Sequence, residues 1–188
     1  MTVHTRRFLA LIGVVLLPAA VLGPSVAWAQ ASWATFSFDL DVPAGRFSEW
    51  RLEDLGPVTG VSGVIRFTEL RPGGHGGSWV PTFGIGLKGA DTSLVLRISS
   101  KNGKAPVFPK IELWAHDSLV TTVQLLGAFE VNDSIDFSLS WTEEGEATVR
   151  VGSAPPRVAH IGPRRFWIGV SSAEVKASRL EFHTKAGT

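Results

Sequence analysis

The chain has 188 residues, 44% of them hydrophobic, with a formal net charge of +1 and no cysteine. Its charges are interspersed and form no basic block, which argues against nucleic acid or an anionic membrane as a partner. Without cysteine there is neither a disulfide nor a thiol for lipid attachment, so stability must come from the core.

The N-terminal segment has the pattern of a cleavable signal peptide. Arg6 and Arg7 precede an apolar run over 8–22, which is shorter than the about 20 residues that a membrane span needs. Ala27 and Ala29 then supply the small residues expected before a cleavage site. We therefore expect export, to the periplasm or to the medium.

This signal divides the chain into two parts, residues 1–29 as signal peptide and 30–188 as one domain. Cleavage removes two of the 18 basic residues and leaves 16 against 17 acidic ones, a net charge of −1. About 160 residues suffice for one well-buried domain, and no association with a membrane is expected after cleavage.

Beyond residue 30, short segments of alternating hydrophobicity recur between glycine, proline, asparagine and aspartate turn signals. Many short strands with this spacing predict an all-β protein, an antiparallel two-sheet β-sandwich of the jelly-roll type. The predicted strands are 33–40, 47–52, 64–70, 83–88, 92–99, 107–116, 120–126, 134–141, 147–151, 166–170 and 178–183.

The strand predicted over 107–116 has two different faces. Ile111 and Leu113 belong to an apolar set that alternates with Lys110, Glu112 and Trp114. A cation, a carboxylate and an indole on one face form an unusual set for a surface that only contacts water. This face is therefore our candidate for the floor of a binding groove.

Turn signals allow the neighbouring strands to be aligned with this one. A two-residue turn at Asn102-Gly103 would set Arg97 opposite Phe108, and a short loop later would set Gln124 opposite Glu112. On the strand before, Gly84 and Gly86 would share the polar face and leave room for a ligand or another backbone.

An aromatic ring flanked by planar hydrogen-bonding groups is typical of carbohydrate sites, because the ring stacks on sugar C–H groups. The predicted ligand-binding residues are Arg97, Lys110, Glu112, Trp114 and Gln124. The main alternative is a solvent-facing sheet with a Lys–Glu–Arg network. A glycan or polysaccharide is thus the expected partner, and an envelope structural or protein-interaction domain remains open.

The C-terminal half resembles the concanavalin A-like, or laminin-G-like, jelly rolls. Its segments 136–141 (DFSLSW), 147–152 (ATVRVG), 166–170 (FWIGV) and 179–182 (RLEF) carry the resemblance, which would extend over 33–183. It implies a concave sheet that hosts the ligand, but lectins, hydrolases, lyases and adhesion modules all use this fold. The family-16 glycosidase signature is absent, and so is the tyrosine acid/base of alginate-lyase-like jelly rolls.

An enzyme, a polysaccharide hydrolase or lyase, is the rival hypothesis, with Glu112 as acid/base. Glycoside hydrolysis needs two carboxyl groups about 5 to 9.5 Å apart. The predicted alignment gives Glu112 no carboxylate neighbour, although Glu49, Glu53 or Asp39 could approach from strands it leaves unplaced. We therefore expect a non-catalytic protein.

No metal or cofactor is strongly indicated. The histidines are scattered without the spacing of zinc ligands. Glu130, Asn132, Asp133 and Asp136 could offer oxygen ligands to Ca²⁺, but acidic residues at such positions also initiate turns.

Overall fold

The computed structural model describes residues 34–53, 55–72, 80–163 and 165–184. The predicted signal peptide, residues 1–29, lies outside these ranges and stays a prediction. The described residues contain twelve strands and no helix. They are β1 (Ala34–Asp41), β2 (Phe47–Leu52), β3 (Val58–Leu70), β4 (Thr82–Lys88), β5 (Thr92–Ser100), β6 (Val107–Ala115), β7 (Ser118–Gln124), β8 (Ile135–Trp141), β9 (Glu146–Val151), β10 (Arg157–His160), β11 (Arg165–Ser171) and β12 (Ala173–Thr184).

The strands form two antiparallel sheets of six, which confirms the predicted β-sandwich. The back sheet has the order β1-β12-β3-β8-β9-β10, and the front sheet has the order β2-β11-β4-β5-β6-β7. Their inner faces share one core, where the Phe83 ring of the front sheet lies 5.9 Å from the Phe137 ring of the back sheet. Alternation along the strands leaves the outer face of each sheet free for polar groups.

Every predicted strand overlaps an observed one, but the short strand β10 was not predicted. It follows Pro155-Pro156 and has only four residues, too few for a visible alternation. Strands β3 and β12 also begin earlier than predicted, at Val58 and Ala173.

The predicted alignment is correct for one strand pair and shifted by two residues for the other two. Between β4 and β5, Gly84 pairs with Arg97 as expected. Between β5 and β6, Arg97 pairs with Lys110 and not with Phe108. The connecting loop has six residues and not two, because Ser100 pairs with Val107; it includes Pro106, which has no N–H to give to a ladder.

The third pair, β6 with β7, is also displaced by two residues, since Glu112 pairs with Thr122 and Lys110 with Gln124. A shift by an even number of residues changes the partners but keeps the side chains on their predicted faces, up to an irregularity after Leu113 where Trp114 pairs with Leu119. The composition of the candidate groove floor is therefore preserved.

None of the described residues belongs to a helix long and apolar enough to cross a membrane.

Candidate functional site

The five predicted binding residues all lie on the outer face of the front sheet. Arg97 is on β5, Lys110, Glu112 and Trp114 are on β6, and Gln124 is on β7. Arg97, Lys110 and Gln124 are direct cross-strand neighbours in one row. Glu112 lies in the next row, between Val95 and Thr122. The structure thus brings the predicted set together on three adjacent strands.

Glu112 lies beneath the surface that its neighbours present. It is only 3% exposed, and its carboxylate accepts from Lys110 Nζ at 2.8 Å and from Arg97 Nη2 at 3.1 Å. The Trp114 indole N–H donates to the same carboxylate over 3.3 Å. A buried carboxylate with charged and neutral donors around it fixes the positions of those side chains. Glu112 is therefore the anchor of the cluster.

Gln124 is held in a different way. Its amide Nε2 donates to the Pro109 carbonyl at 2.8 Å, and the Leu125 backbone N–H donates to the same oxygen at 3.0 Å. A carbonyl oxygen has two lone pairs, so it can accept both. These bonds tie β7 to β6 at a position where proline offers no donor of its own.

Sequence reasoning left Trp167 open as a core, edge or site residue and did not include it in the predicted binding set. Its indole lies over β4, where a Cβ built on Gly86 would stand 2.3 Å from Nε1 and one built on Gly84 would stand 2.9 Å from Cη2. The room predicted beside these two glycines is thus filled by a side chain of this chain and not by a ligand. The missing signal was the pairing of β11 with β4, which sets Trp167 opposite Gly86 and cannot be read from local turns.

Trp167 and Trp114 line a shallow groove of about 360 Å³ on this face. Both indoles are half-buried, and Ser93, Val95 and Arg97 of β5 line the groove as well. Because glycine has no Cβ, the Trp167 ring lies close to the sheet and forms a flat platform.

Outside the Glu112 cluster, three ion pairs between described residues line the groove. Arg165 Nε lies 3.0 Å from the Glu53 carboxylate, and Arg51 is paired with Glu49 on β2. Lys88 and Asp117, which also line it, are 3.6 Å apart. Each cation in this part of the groove has a carboxylate of its own.

The strand order separates Glu112 from the carboxylates that sequence reasoning considered as partners. Glu49 and Glu53 belong to the β2 edge, four strands away from β6, or about 19 Å at the usual strand spacing. Asp39 lies on the back sheet, 3.5 Å from Lys176. A pair of carboxyl groups at 5 to 9.5 Å, as glycoside hydrolysis requires, is therefore not formed between Glu112 and any of these three.

Three candidate calcium ligands, Glu130, Asn132 and Asp133, lie in a turn between β7 and β8, and the fourth, Asp136, lies on β8. There Asp133 Oδ2 accepts from the Glu130 backbone N–H at 2.8 Å, and Asn132 has a positive φ of 74°. These are the roles of turn residues. Among the residues that the structure describes, no three His, Asp or Glu side chains are grouped so that they could hold a metal ion.

No protein-family model matches the chain, and no curated protein is significantly similar to it. Its fold is similar to solved structures. A galectin from Caenorhabditis elegans matches with a TM-score of 0.50 and 12% identity, over 77% of this chain and 94% of the galectin. A carbohydrate-binding module from Bacillus subtilis matches with a TM-score of 0.48 and 11% identity, over 80% and 94%.

A scytalido-glutamic peptidase is also similar, with a TM-score of 0.44 and 12% identity over 82% of this chain and 72% of the peptidase. At such low identity these likenesses show the β-sandwich fold alone. Function therefore has to be argued from the site.

Proposed function

We propose that this protein is an exported, non-catalytic carbohydrate-binding β-sandwich whose ligand lies in the groove of the front sheet. One observation carries the proposal. The Trp167 indole lies flat over two glycines of β4, beside a second tryptophan and an arginine that line the same groove. A flat, fixed aromatic surface next to polar groups is what binding of a sugar ring requires.

Trp167 and the five predicted binding residues have different roles in this proposal. Trp167 and Trp114 stack on the C–H faces of sugar rings, and Arg97 donates hydrogen bonds to sugar oxygens. Lys110 and Gln124, in the same row as Arg97, extend the polar floor toward β7. Glu112 is too deeply buried for direct contact and acts by holding Arg97, Lys110 and Trp114 in place.

The non-catalytic part of the proposal rests on the arrangement of carboxylates. Glu112 forms ion pairs with two cations and lies four strands away from the β2 carboxylates. The export part rests on the sequence of residues 1–29. The fold, which the chain shares with a galectin, is compatible with sugar binding but does not select it.

The proposal is tested by removing each aromatic ring from the mature chain, residues 30–188. Wild type, Trp114→Ala and Trp167→Ala are compared on a glycan array and by affinity electrophoresis in polysaccharide gels. We expect wild type to bind at least one glycan and each variant to lose about tenfold or more in affinity. Trp50→Phe is the control, since the Trp50 ring contacts Phe166 and Phe182 and does not line the groove.

Gly86→Ala tests the platform without removing an aromatic ring. The new methyl group would stand 2.3 Å from Trp167 Nε1, so the indole must move off the strand. We expect a loss of glycan affinity similar to that of Trp167→Ala. If wild type binds no glycan, or if both tryptophan variants bind like wild type, the proposed function is wrong.

A further inference from the structure

Charge is distributed unequally over the outer face of the front sheet. On the β2–β11 side Arg51 pairs with Glu49 and Arg165 pairs with Glu53, one cation with one carboxylate in each case. On the β5–β6 side lie three cations, Arg97, Lys101 and Lys110, here termed the cationic strip. The two sides therefore offer a ligand different electrostatic surroundings.

The strip runs along β5 and β6. Arg97 and Lys110 are cross-strand neighbours, and Phe108 pairs with Ser99 two positions farther along both strands. The Lys101 ammonium lies over the Phe108 ring, 4.6 Å from its centroid. At about 3.3 Å per residue, the backbone from Arg97 to Lys101 spans about 13 Å.

These cations outnumber the carboxylates with which they pair. Glu112 is the one carboxylate in ion pairs with the strip among the described residues. Its side chain is 5% exposed, while those of Arg97 and Lys110 are 32% and 29% exposed. The negative charge is thus beneath the surface and the positive charges face the solvent.

Arg97 also keeps donors that its ion pair does not use. A guanidinium has five N–H groups in a planar fork, and Arg97 uses Nη2 toward Glu112. Its Nε is buried and has no hydrogen-bond partner within the described part of the chain, but the side chain as a whole is 32% exposed, so a ligand would contact its terminal nitrogens. A carboxylate or a sulfate offers the paired oxygens that such a fork accommodates.

We propose that the ligand of the groove is an acidic glycan, whose carboxylate or sulfate groups lie over the cationic strip while its sugar rings stack on the tryptophans. This inference rests on the proposed carbohydrate-binding function. The expected mature chain has a net charge of −1, so general attraction of polyanions is not expected and any preference must come from the strip.

The test uses two pairs of polymers that differ in charge. Polygalacturonate is compared with its fully methyl-esterified form, and dextran sulfate with dextran, by isothermal titration calorimetry on the mature chain. We expect the acidic member of at least one pair to bind tenfold or more tightly than its neutral partner in about 0.1 M salt. The preference should shrink as the salt concentration rises. The pair that shows it identifies carboxylate or sulfate as the recognised group.

Single variants then test which residues are responsible for the preference for acidic polymers. Arg97→Gln and Lys101→Gln should each reduce acidic-polymer affinity several-fold. Lys101 is exposed and outside the Glu112 cluster, so Lys101→Gln leaves the fold intact even if Arg97→Gln destabilises it. Arg150→Gln is the matched control, because it makes the same change of charge on an exposed residue of the back sheet and should leave affinity unchanged.

The outcomes separate this inference from the proposed function. Equal binding of acidic and neutral members overturns the acidic-ligand inference and leaves carbohydrate binding in place. An acidic preference that Arg97→Gln and Lys101→Gln leave unaltered, or that Arg150→Gln removes equally, also overturns the inference. Failure of wild type to bind any of the four polymers or any glycan on the array overturns both.

Discussion

The outer faces of the two sheets differ more than their inner faces do. On the back sheet, β8 and β9 present polar and charged groups without an aromatic ring, with Ser138 opposite Arg150 and Ser140 opposite Thr148. On the front sheet the corresponding surface carries two tryptophans and a buried carboxylate among cations. Both sheets contribute similar aliphatic and aromatic side chains to the shared core.

This difference shows where function can be sought in a sandwich. Serine and threonine side chains on β8 and β9 form hydrogen bonds with water, whereas two adjacent half-buried indoles form an apolar surface that a ligand could cover. The Trp167 indole fits closely over Gly84 and Gly86, so the choice of residue at three positions is restricted by one surface feature. The back sheet between β8 and β9 shows no comparable constraint on its outer face.

The largest expected effect on stability comes from comparing a residue on the inner face of β11 with one on its outer face. Phe166 is fully buried and its ring contacts those of Trp50, Trp141 and Phe182. Phe166→Ala should lower the free energy of unfolding by about 3 to 5 kcal/mol, because it leaves a cavity in the core. Trp167→Ala should cost about 1 to 2 kcal/mol, since its indole is half-buried on one side of a sheet.

Urea denaturation of both variants and wild type measures the difference. A Trp167→Ala loss as large as that of Phe166→Ala would show that Trp167 belongs to the core, and the distinction between the faces of β11 would be lost.

Sequence alone predicted the faces of the front sheet better than the partners within it. Alternation places Lys110, Glu112 and Trp114 on one side whichever residues pair with them, so the candidate face was correct despite a two-residue shift. The shift arose in the loop before β6, where Ser100 Oγ donates to the Lys104 carbonyl and the first cross-strand pair is Ser100 with Val107. Turn signals indicate that a hairpin is present, but they do not determine the length of its loop.

The role of Trp167 could not be predicted from local patterns. It depends on β11 lying between β2 and β4, a contact between segments about 80 residues apart along the chain. The burial of Glu112 was likewise hidden, because alternation gives the face of a residue and not how deeply its neighbours cover it. Both features are set by tertiary packing.

An intermediate effect on stability is expected when one carboxylate from each sheet is neutralised and the two losses are compared. Glu112→Gln removes the charge that lies between Arg97 and Lys110 and leaves two cations side by side. We expect a loss of about 1 to 2 kcal/mol, less than for a fully buried pair because both cations are about one-third exposed and can be hydrated. Asp136→Asn, on the exposed face of β8, should change stability by less than about 0.5 kcal/mol.

Thermal and urea denaturation of these two variants give the comparison. Equal, negligible losses would mean that the Glu112 cluster is no more than a surface ion pair, and the roles assigned to it here would then be wrong.

The smallest expected effect on stability concerns the ion cluster at the ends of β1 and β3 in the back sheet. Arg71 is paired with Asp41 and lies 2.5 Å from Glu69, and its hydrogen bond lowers the pKa of the Glu69 carboxyl below the ordinary value of 4.5. A lowered folded-state pKa contributes stability that is present above the unfolded-state pKa and is lost as the pH falls through the folded-state value.

Wild type should therefore lose slightly more stability than Arg71→Gln when the pH is lowered from about 6 to about 3. The difference should be small and should vanish at high salt, because Glu69 is exposed and the pair is screened by water and ions. Melting temperatures across this pH range, in low and in high salt, check the sign. Parallel pH curves for the two proteins would show that the Arg71 cluster does not stabilise the fold. A difference that persists at high salt would show that the Arg71 cluster is shielded from solvent as the Glu112 cluster is. The two sheets would then not differ in the exposure of their ion pairs.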